Sequence, residues 1–480
     1  MIEAIALLGK YETDKKDLER IDPFIEETKL KNIMKVICIV FKKNGENIVY
    51  DHTHSEEYDS QNPRKYLYRS HQSRRFDVTP TTKISYDSKN KKPKINEAFN
   101  RIQYWFEKFI PILNNEKYSK QQIEFLEQIR NEILKNREKI FEDVSKRCEE
   151  LKDDEKRNSV LTIKIKEDGN EKYIGSFDIF KKILMEEGLK FVYSRHGVEI
   201  KGKGICSICG KEGEVSDYTL LKIYSVDKRG FAPEFAQKNA WKRLPICPSC
   251  LPYLITGENF LNKYLKKRFY QDYQFYVIPK FILGDVDENL IEEIKRQEKR
   301  EEYKGLLIED DYFLDPIKDR GDILNLVFMF CEFGQSVKVV KYVEDVSPSW
   351  IKKLDITLNK EITNLSIFKE ETLKKIGIVG KKKSGDLKDI DRAGTRIGGL
   401  VEAFFPKSKE TGVYSKYFID VIGDILNQKP INKDLLMIAF MRELRNKHLN
   451  EDVWNEKILA LKSLMLFLFL KKLNLIKEGE

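Results

Sequence analysis

Two apolar runs flank Asn44-Gly45 within residues 33–53, IMKVICIVFKKNGENIVYDHT. That pattern predicts a β-hairpin, because Asn-Gly adopts the type I′ turn whose twist matches the strands on either side. The same grammar recurs over 159–174, with Asp168-Gly169 at the turn. Between the two hairpins the period changes. From about Asn96 to Lys156, apolar residues such as Ile102, Trp105, Phe106 and Phe109 return every three or four positions, and Pro111 interrupts them. This predicts at least two helices. Residues 1–30 predict a helix and connector, and 60–96 a polar, basic, turn-rich loop. Further along, Phe275 to Ile282 reads as a strand and 324–346 as a strand pair around Gly334-Gln335. From 348 onward the pattern is mostly helical, broken by a glycine- and lysine-rich segment at 377–399, and no internal repeat is visible.

The expected fold class is α+β: an N-terminal mixed α/β domain with a four-cysteine zinc-binding insert, and a C-terminal α-helical bundle. The boundaries read as 1–200 for the N-terminal domain, with its basic loop at 60–96 and helices over 97–156. The zinc-binding insert takes 201–256, the remainder of the α+β domain 257–350, and the helical bundle 351–480.

The chain has 480 residues, 41% of them hydrophobic and 34% charged, with a formal net charge of +9. That length supports several cores. The basic excess fits a nucleic-acid partner, and a lysine-rich soluble protein from an AT-rich or heat-adapted genome would show it equally. The start MIEAIALLGKY lacks the basic opening and long apolar run of a signal peptide. The most apolar stretch, Leu459 to Leu470, contains Lys462 and falls short of the roughly twenty residues a membrane span needs. The chain therefore reads as soluble and cytoplasmic, with no membrane partner.

Seven cysteines are too few and too scattered for a disulfide framework. Four form two CxxC knuckles, Cys206-Ser-Ile-Cys209 and Cys247-Pro-Ser-Cys250. Zinc favours a tetrahedron of such ligands, and two knuckles complete one site. Gly210 and Pro248 suit the turns. Four sulfurs leave no position open for water, so the zinc is expected to be structural. The segment between the knuckles carries Arg229, Lys238, Trp241, Lys242 and Arg243 beside Phe231 and Phe235. Either the zinc merely staples this loop, or the stapled loop touches nucleic acid or a partner subunit. Cys38, Cys148 and Cys331 read as buried or unpaired.

Ten Lys or Arg fall within 60–96 against two acids, Asp77 and Asp87, and Tyr66, Tyr68, Phe76 and Tyr86 are interleaved. Cations release phosphate counterions and aromatic rings stack on exposed bases. On this basis Arg64, Lys65, Tyr66, Arg69, Arg74, Arg75, Lys83, Lys91 and Lys92 are expected to contact nucleic acid. A second patch comprises Lys381, Lys382, Lys383, Arg392 and Arg396. A third, Arg442 and Arg445, shares a helix face, for which a solvated surface is an equal reading.

Catalytic signatures are scarce. There is no phosphate-binding loop, no dinucleotide fingerprint and no nucleophile elbow. His52-Thr-His54 is the one metal-like histidine pair, with only His71, His196 and His448 left to join it. No catalytic residue is assigned. A metal-dependent nuclease or hydrolase using His52 and His54 is the alternative, and a general RNA-binding zinc protein a third reading.

These landmarks, in order, resemble a family. MIEAIALLGKY, the block from Lys65 to Arg69 followed by Asp77 to Ile84, the two knuckles, Tyr273 to Lys280, and Val346-Ser-Pro-Ser-Trp350 together look like the large subunit of the subtype I-B CRISPR Cascade effector complex. The resemblance implies a non-catalytic subunit that contacts the 5′ handle of a CRISPR guide RNA. It implies reading of a short protospacer-adjacent motif (PAM) in target double-stranded DNA, and stabilisation of the R-loop. Implied partners are the Cascade backbone and handle-capping subunits, a small subunit, and a recruited helicase-nuclease. The C-terminal bundle would resemble the small subunit. One departure concerns the internal start that often makes that subunit: no methionine lies between Met329 and Met437.

Overall fold

The computed structural model describes residues 1–15, 21–45, 47–71, 76–87, 90, 92–113, 117–195, 198–223, 230, 232–270, 273–282, 286–296, 317, 324–334, 337–376, 396–406 and 416–477. It is a mixed α/β protein, and its C-terminal region is mainly helical.

Helix α1 (Ile2–Lys15) opens the chain, followed by the hairpin β1 (Lys35–Asn44) and β2 (Asn47–Glu57). Gly45 has φ +62°, but Asn44, expected to share the centre of the turn, is the last residue of β1 and pairs with Asn47. A short strand β3 (Thr82–Lys83) leads to helices α2 (Ile95–Phe109), α3 (Lys120–Lys135) and α4 (Arg137–Glu149). A second hairpin follows, β4 (Ser159–Glu167) and β5 (Asn170–Tyr173), with Asp168 and Gly169 both at positive φ, and then helix α5 (Asp178–Tyr193). The sheet order is β2-β1-β4-β3, with β5 also paired to β4. β1 runs parallel to β4 and antiparallel to β2.

Alternation assigns the two faces of this sheet. Ile37, Ile39 and Phe41 of β1 and Leu161, Ile163 and Ile165 of β4 turn toward α2–α5 and form one core with Phe99, Ile102, Trp105 and Phe106. The opposite face carries a smaller cluster of Val36, Cys38, Val160, Tyr66, Tyr68 and Tyr173. Apart from Lys83, the Asp77 to Ile84 stretch is buried: the Trp105 indole donates to the Val78 carbonyl (2.9 Å), and the Asp77 carboxylate accepts from the Thr82 hydroxyl (2.6 Å). Burial pushes the Asp77 carboxyl above its ordinary range despite Thr82 and Arg101.

Next come β6 (Lys201–Ile205), β7 (Glu212–Asp217) and β8 (Pro245–Ile246), a three-stranded sheet, and helix α6 (Leu251–Phe260). Strands β9 (Lys266–Arg268), β10 (Gln274–Phe281), β11 (Leu324–Phe333) and β12 (Val337–Val346) form an antiparallel sheet in chain order, with α7 (Glu288–Arg296) between β10 and β11. The Ser347 hydroxyl then caps α8 (Pro348–Ile356) by accepting from the Trp350 N–H (3.2 Å), with proline in the first turn. The Trp350 indole donates to the Ile425 carbonyl (3.0 Å). The remaining long elements are α9 (Ile397–Glu402), α10 (Lys416–Leu426), α11 (Lys433–Leu449) and α12 (Val453–Lys472). Among the described residues no helix is long and apolar enough to cross a membrane.

A single large apolar cluster joins α1, the knuckle segment, the β9–β12 sheet and the C-terminal helices. The opening helix thus packs against residues far along the chain rather than onto the neighbouring β1–β5 sheet. Its closest partner is α6, where a Cβ added to Gly9 would stand 1.8 Å from the Tyr253 carbonyl oxygen.

Candidate four-cysteine site and basic surfaces

The first knuckle caps the β6–β7 hairpin. The Cys206 N–H donates to the Lys211 carbonyl (2.9 Å) and the Gly210 N–H to the Cys206 carbonyl (3.0 Å), while Gly210 takes φ +67°. The second knuckle turns directly into a helix, with the Cys250 and Leu251 N–H groups both donating to the Cys247 carbonyl (3.1 Å each). The Ser207 N–H donates across to the Pro245 carbonyl (2.8 Å) and ties the two knuckles together.

One sulfur from each of Cys206, Cys209, Cys247 and Cys250 lies within 4.8 Å of the others. Cys209 Sγ and Cys247 Sγ are 3.8 Å apart, and four thiolates about 2.3 Å from a central zinc would be spaced by about this distance. The Cys206 sulfur accepts backbone N–H groups from Ile208 (3.5 Å) and Cys247 (3.4 Å). Burial raises its thiol, and backbone donors including Cys209, Cys247 and Ile208 more than offset this, bringing it down to about 7. The residues present fit a zinc ion: they supply four converging sulfurs, and Cys206 already has donors that favour its thiolate.

The segment between the knuckles is held by its own side chains. Trp241 lies on Gly202 and Gly204, where a Cβ on Gly202 would meet the ring at 2.2 Å. Arg243 pairs with the fully buried Asp217 (2.6 Å), and Lys242 with Glu234 (2.8 Å). Phe235 is 75% exposed. Arg229 and Phe231 lie outside the described residues.

The predicted basic contacts divide by their surroundings. Arg64 makes two bonds to the Asp22 carboxylate (2.9 and 2.8 Å), and Lys65 pairs with Asp59 (2.5 Å). Arg69 donates to the Phe24 carbonyl (2.8 Å). Tyr66, expected as a stacking face for bases, is 0% exposed: it stacks on Tyr58 (4.7 Å) and meets Tyr173 edge-on (5.0 Å). Tyr68 and Phe76 are buried too. The aromatic interleaving of 60–76 is therefore accounted for by packing, and the cations at 64, 65 and 69 by pairing within the fold. Lys83 and Lys92 have no ion-pair partner among the described residues; Lys83 is half-buried and Lys92 exposed. Arg74, Arg75, Lys91, Lys381, Lys382, Lys383 and Arg392 lie outside the described residues. Arg396 sits beside Tyr270 at the start of α9.

Arg442 and Arg445 lie on α11, as their spacing implied, and both are exposed. Arg442 donates to the Phe404 carbonyl (3.0 Å). The two rim a groove of about 1160 Å³ between α11 and α12 whose floor includes Ile438, Met441, Leu449 and Val453. All four of those side chains are exposed. The signal was present in the sequence: apolar residues surround α11 instead of keeping to one stripe.

His52 and His54 do come together, and a third residue joins them. Their side chains and that of Glu171 each offer a donor atom within 4.8 Å of the others. Nothing in the spacing of the sequence pointed to Glu171, because its proximity depends on strand order.

The fold and site thus define a mixed α/β protein with a closed four-sulfur centre and basic, partly apolar outer surfaces. The chain belongs to the CRISPR-associated protein TM1802 family: residues 1–186 match the family's N-terminal domain, 203–346 its central domain and 399–480 its C-terminal domain. No curated protein matches it.

Proposed function

We propose that the chain is the non-catalytic large subunit of a CRISPR RNA-guided surveillance complex of subtype I-B. In this role it contacts the guide-RNA 5′ handle, reads the PAM in duplex DNA and stabilises the R-loop for a recruited helicase-nuclease. The observation that carries the reading is the ordered match of all three family domains along the chain. Two further features support it. Lys83, Lys92 and Arg445 are cations with no ion-pair partner among the described residues, and can neutralise phosphates. The apolar groove on α11 and α12 suits a chain that works against neighbouring subunits.

In this reading Cys206, Cys209, Cys247 and Cys250 hold a structural zinc. The ion ties the β6–β7 hairpin to the start of α6, and so to α1 and the larger core. Division of labour follows the logic of guided recognition: base pairing reads the target, and the protein reads a short duplex motif and the shape of the heteroduplex. The helices beyond residue 351 act as the part that resembles the small subunit.

The test is to purify the tagged chain from its host and sequence the RNA that accompanies it. Repeat-derived handles joined to varied spacers are expected. RNA without such handles, or none, overturns the reading. The alternative of a metal-dependent nuclease is addressed by assays with Mg²⁺ or Mn²⁺ on the purified protein. Cleavage that disappears in a His52→Ala, His54→Ala double variant would favour the enzyme.

A further inference from the structure

We infer that the outer face of the N-terminal sheet holds a second metal site, in which His52, His54 and Glu171 bind a divalent ion of the zinc class. The inference stands apart from the guide-complex reading and rests on the sheet alone.

Alternation along β2 puts His52, His54 and Glu56 on the face away from α2–α4. The pairing of β1, β4 and β5 puts Cys38, Val40, Lys164, Lys166, Glu171 and Tyr173 on that same face. His54 Nδ1 lies 3.2 Å from His52 Nε2, and Glu171 Oε1 lies 3.4 Å from that same His52 nitrogen. Ligands about 2.0–2.1 Å from a tetrahedral ion stand about 3.3 Å from one another. His52 Nε2 is therefore spaced from each of the other two donors as ligands of one ion are, and one donor atom from each of the three side chains lies within 4.8 Å of the others.

The outward atoms of the same side chains are already engaged. His52 Nδ1 is 3.2 Å from Asp51 Oδ2, and His54 Nε2 is 3.3 Å from Glu56 Oε2. A metal-bound imidazole usually donates its other N–H to a carboxylate, which fixes the ring and its tautomer. Both histidines have that partner. With an ion bound, those N–H groups would sit on Asp51 and Glu56 and each ring would turn a lone pair inward. Glu171 is steadied through its second oxygen, 3.3 Å from Lys164 Nζ. Glu56 is braced by Lys164 (2.7 Å) and by the Tyr173 hydroxyl.

Lys164 does not take the place of the ion. Its ammonium approaches Glu171 Oε2 and His54 Nε2, at 3.3 and 3.4 Å, two atoms 3.6 Å from each other and distinct from the Glu171 Oε1 and His54 Nδ1 that approach His52. Asp51, Glu56 and Glu171 supply three negative charges against the two of Lys164 and Lys166, so the cluster still favours a cation. Cys38 also comes within reach of His54 and Glu56. Its buried thiol lies 3.6 Å from the Tyr173 hydroxyl. The His52 side chain is 43% exposed. Two histidines and one carboxylate would thus leave a coordination position open to solvent, unlike the closed four-sulfur site.

The test uses the full chain, stripped with a chelator and titrated with Zn²⁺ and with Co²⁺. Two equivalents are expected. The knuckle-bound cobalt shows sulfur-to-metal charge transfer; the second shows only the weaker bands of nitrogen and oxygen ligation. His52→Ala and Glu171→Gln should each abolish the second equivalent and keep the first. Asp51→Asn, which leaves all three ligands in place, should weaken it by about 10- to 100-fold. A single, sulfur-ligated equivalent in the unaltered chain overturns the proposal, as does a second equivalent that persists in both ligand variants. Because the charge-transfer signal reports the knuckles separately, failure of one site is distinguishable from failure of the other.

Discussion

Gly257 of α6 faces Ile5 of α1 with no room for a methyl group between them: a Cβ at 257 would stand 1.9 Å from the Ile5 carbonyl oxygen. Since the obstacle is backbone, the helices must move apart to admit even alanine. Gly257→Ala is expected to destabilise the protein by about 3 kcal/mol, the upper part of the usual range for overpacking. Urea unfolding followed by circular dichroism measures it, and an unchanged midpoint would refute the close packing.

Removing one knuckle sulfur should have a local and a global effect. Cys206→Ser is expected to release the knuckle zinc and unfold the 201–250 segment, because a structural site contributes its binding energy to folding. Metal analysis and limited proteolysis report the two effects. A variant that keeps its full metal content and its resistance to protease would rule out the four-cysteine assignment.

The basic residues should separate into two classes. Neutralising Arg74 and Arg75 is expected to weaken nucleic-acid binding and reduce the salt slope, by up to about two for duplex DNA if each contacts a phosphate. Arg64→Ala should instead lower stability, because its guanidinium forks onto Asp22 at 2.9 and 2.8 Å. Binding isotherms across a salt series, run beside thermal melts, distinguish the two. An identical salt slope in the Arg74, Arg75 variant would remove that patch from the interface.

Acid should loosen the loop that follows the first hairpin. The Glu26 carboxylate accepts from the Ser70 N–H (3.0 Å) and hydroxyl (2.8 Å) and pairs with Lys29 (2.8 Å). Burial alone would raise its pKa, but Lys29 and Ser70 prevail and hold it below the ordinary value of 4.5. A depressed carboxylate stabilises the fold above its unfolded pKa, and that contribution fades as pH falls through the folded value. Protection against hydrogen exchange at 66–71, relative to the intrinsic rate at each pH, should therefore fall below about pH 4.5, and Glu26→Gln should remove that pH dependence. Protection that ignores pH in the unaltered chain would contradict this account.

Local chemistry was well written in the sequence. The second hairpin turns on Asp168-Gly169, both in left-handed backbone, as a type I′ pair requires; the first lies where expected, but Asn44 ends β1 opposite Asn47 and only Gly45 of the Asn-Gly pair belongs to the turn. Pro111 does end a helix, and the four cysteines do converge. Long-range placement was less legible. Tyr66 and Arg64 looked like a surface mixture of rings and charges. Their roles depend on Tyr58, Tyr173 and Asp22, which adjacency along the chain does not reveal. The nearness of Glu171 to His52 likewise depends on strand order, since β1 and β4 separate the two strands that carry them. The grooved face of α11 was visible as apolar residues on every side, but only the packed helices show which of those sides stays open.

The position of α1 in the larger core also sets a timetable for synthesis. Its partner helix α6 begins at Leu251, so Ile5 and Leu8 leave the ribosome long before their apolar neighbours exist. At typical translation rates of about 5–20 residues per second the wait is roughly ten to fifty seconds. The β1–β5 sheet and its helices draw on residues 21–184 and can close during that time. Helix α1 thus finds its place well after it is made, and the nascent chain must shelter it until α6 has been translated.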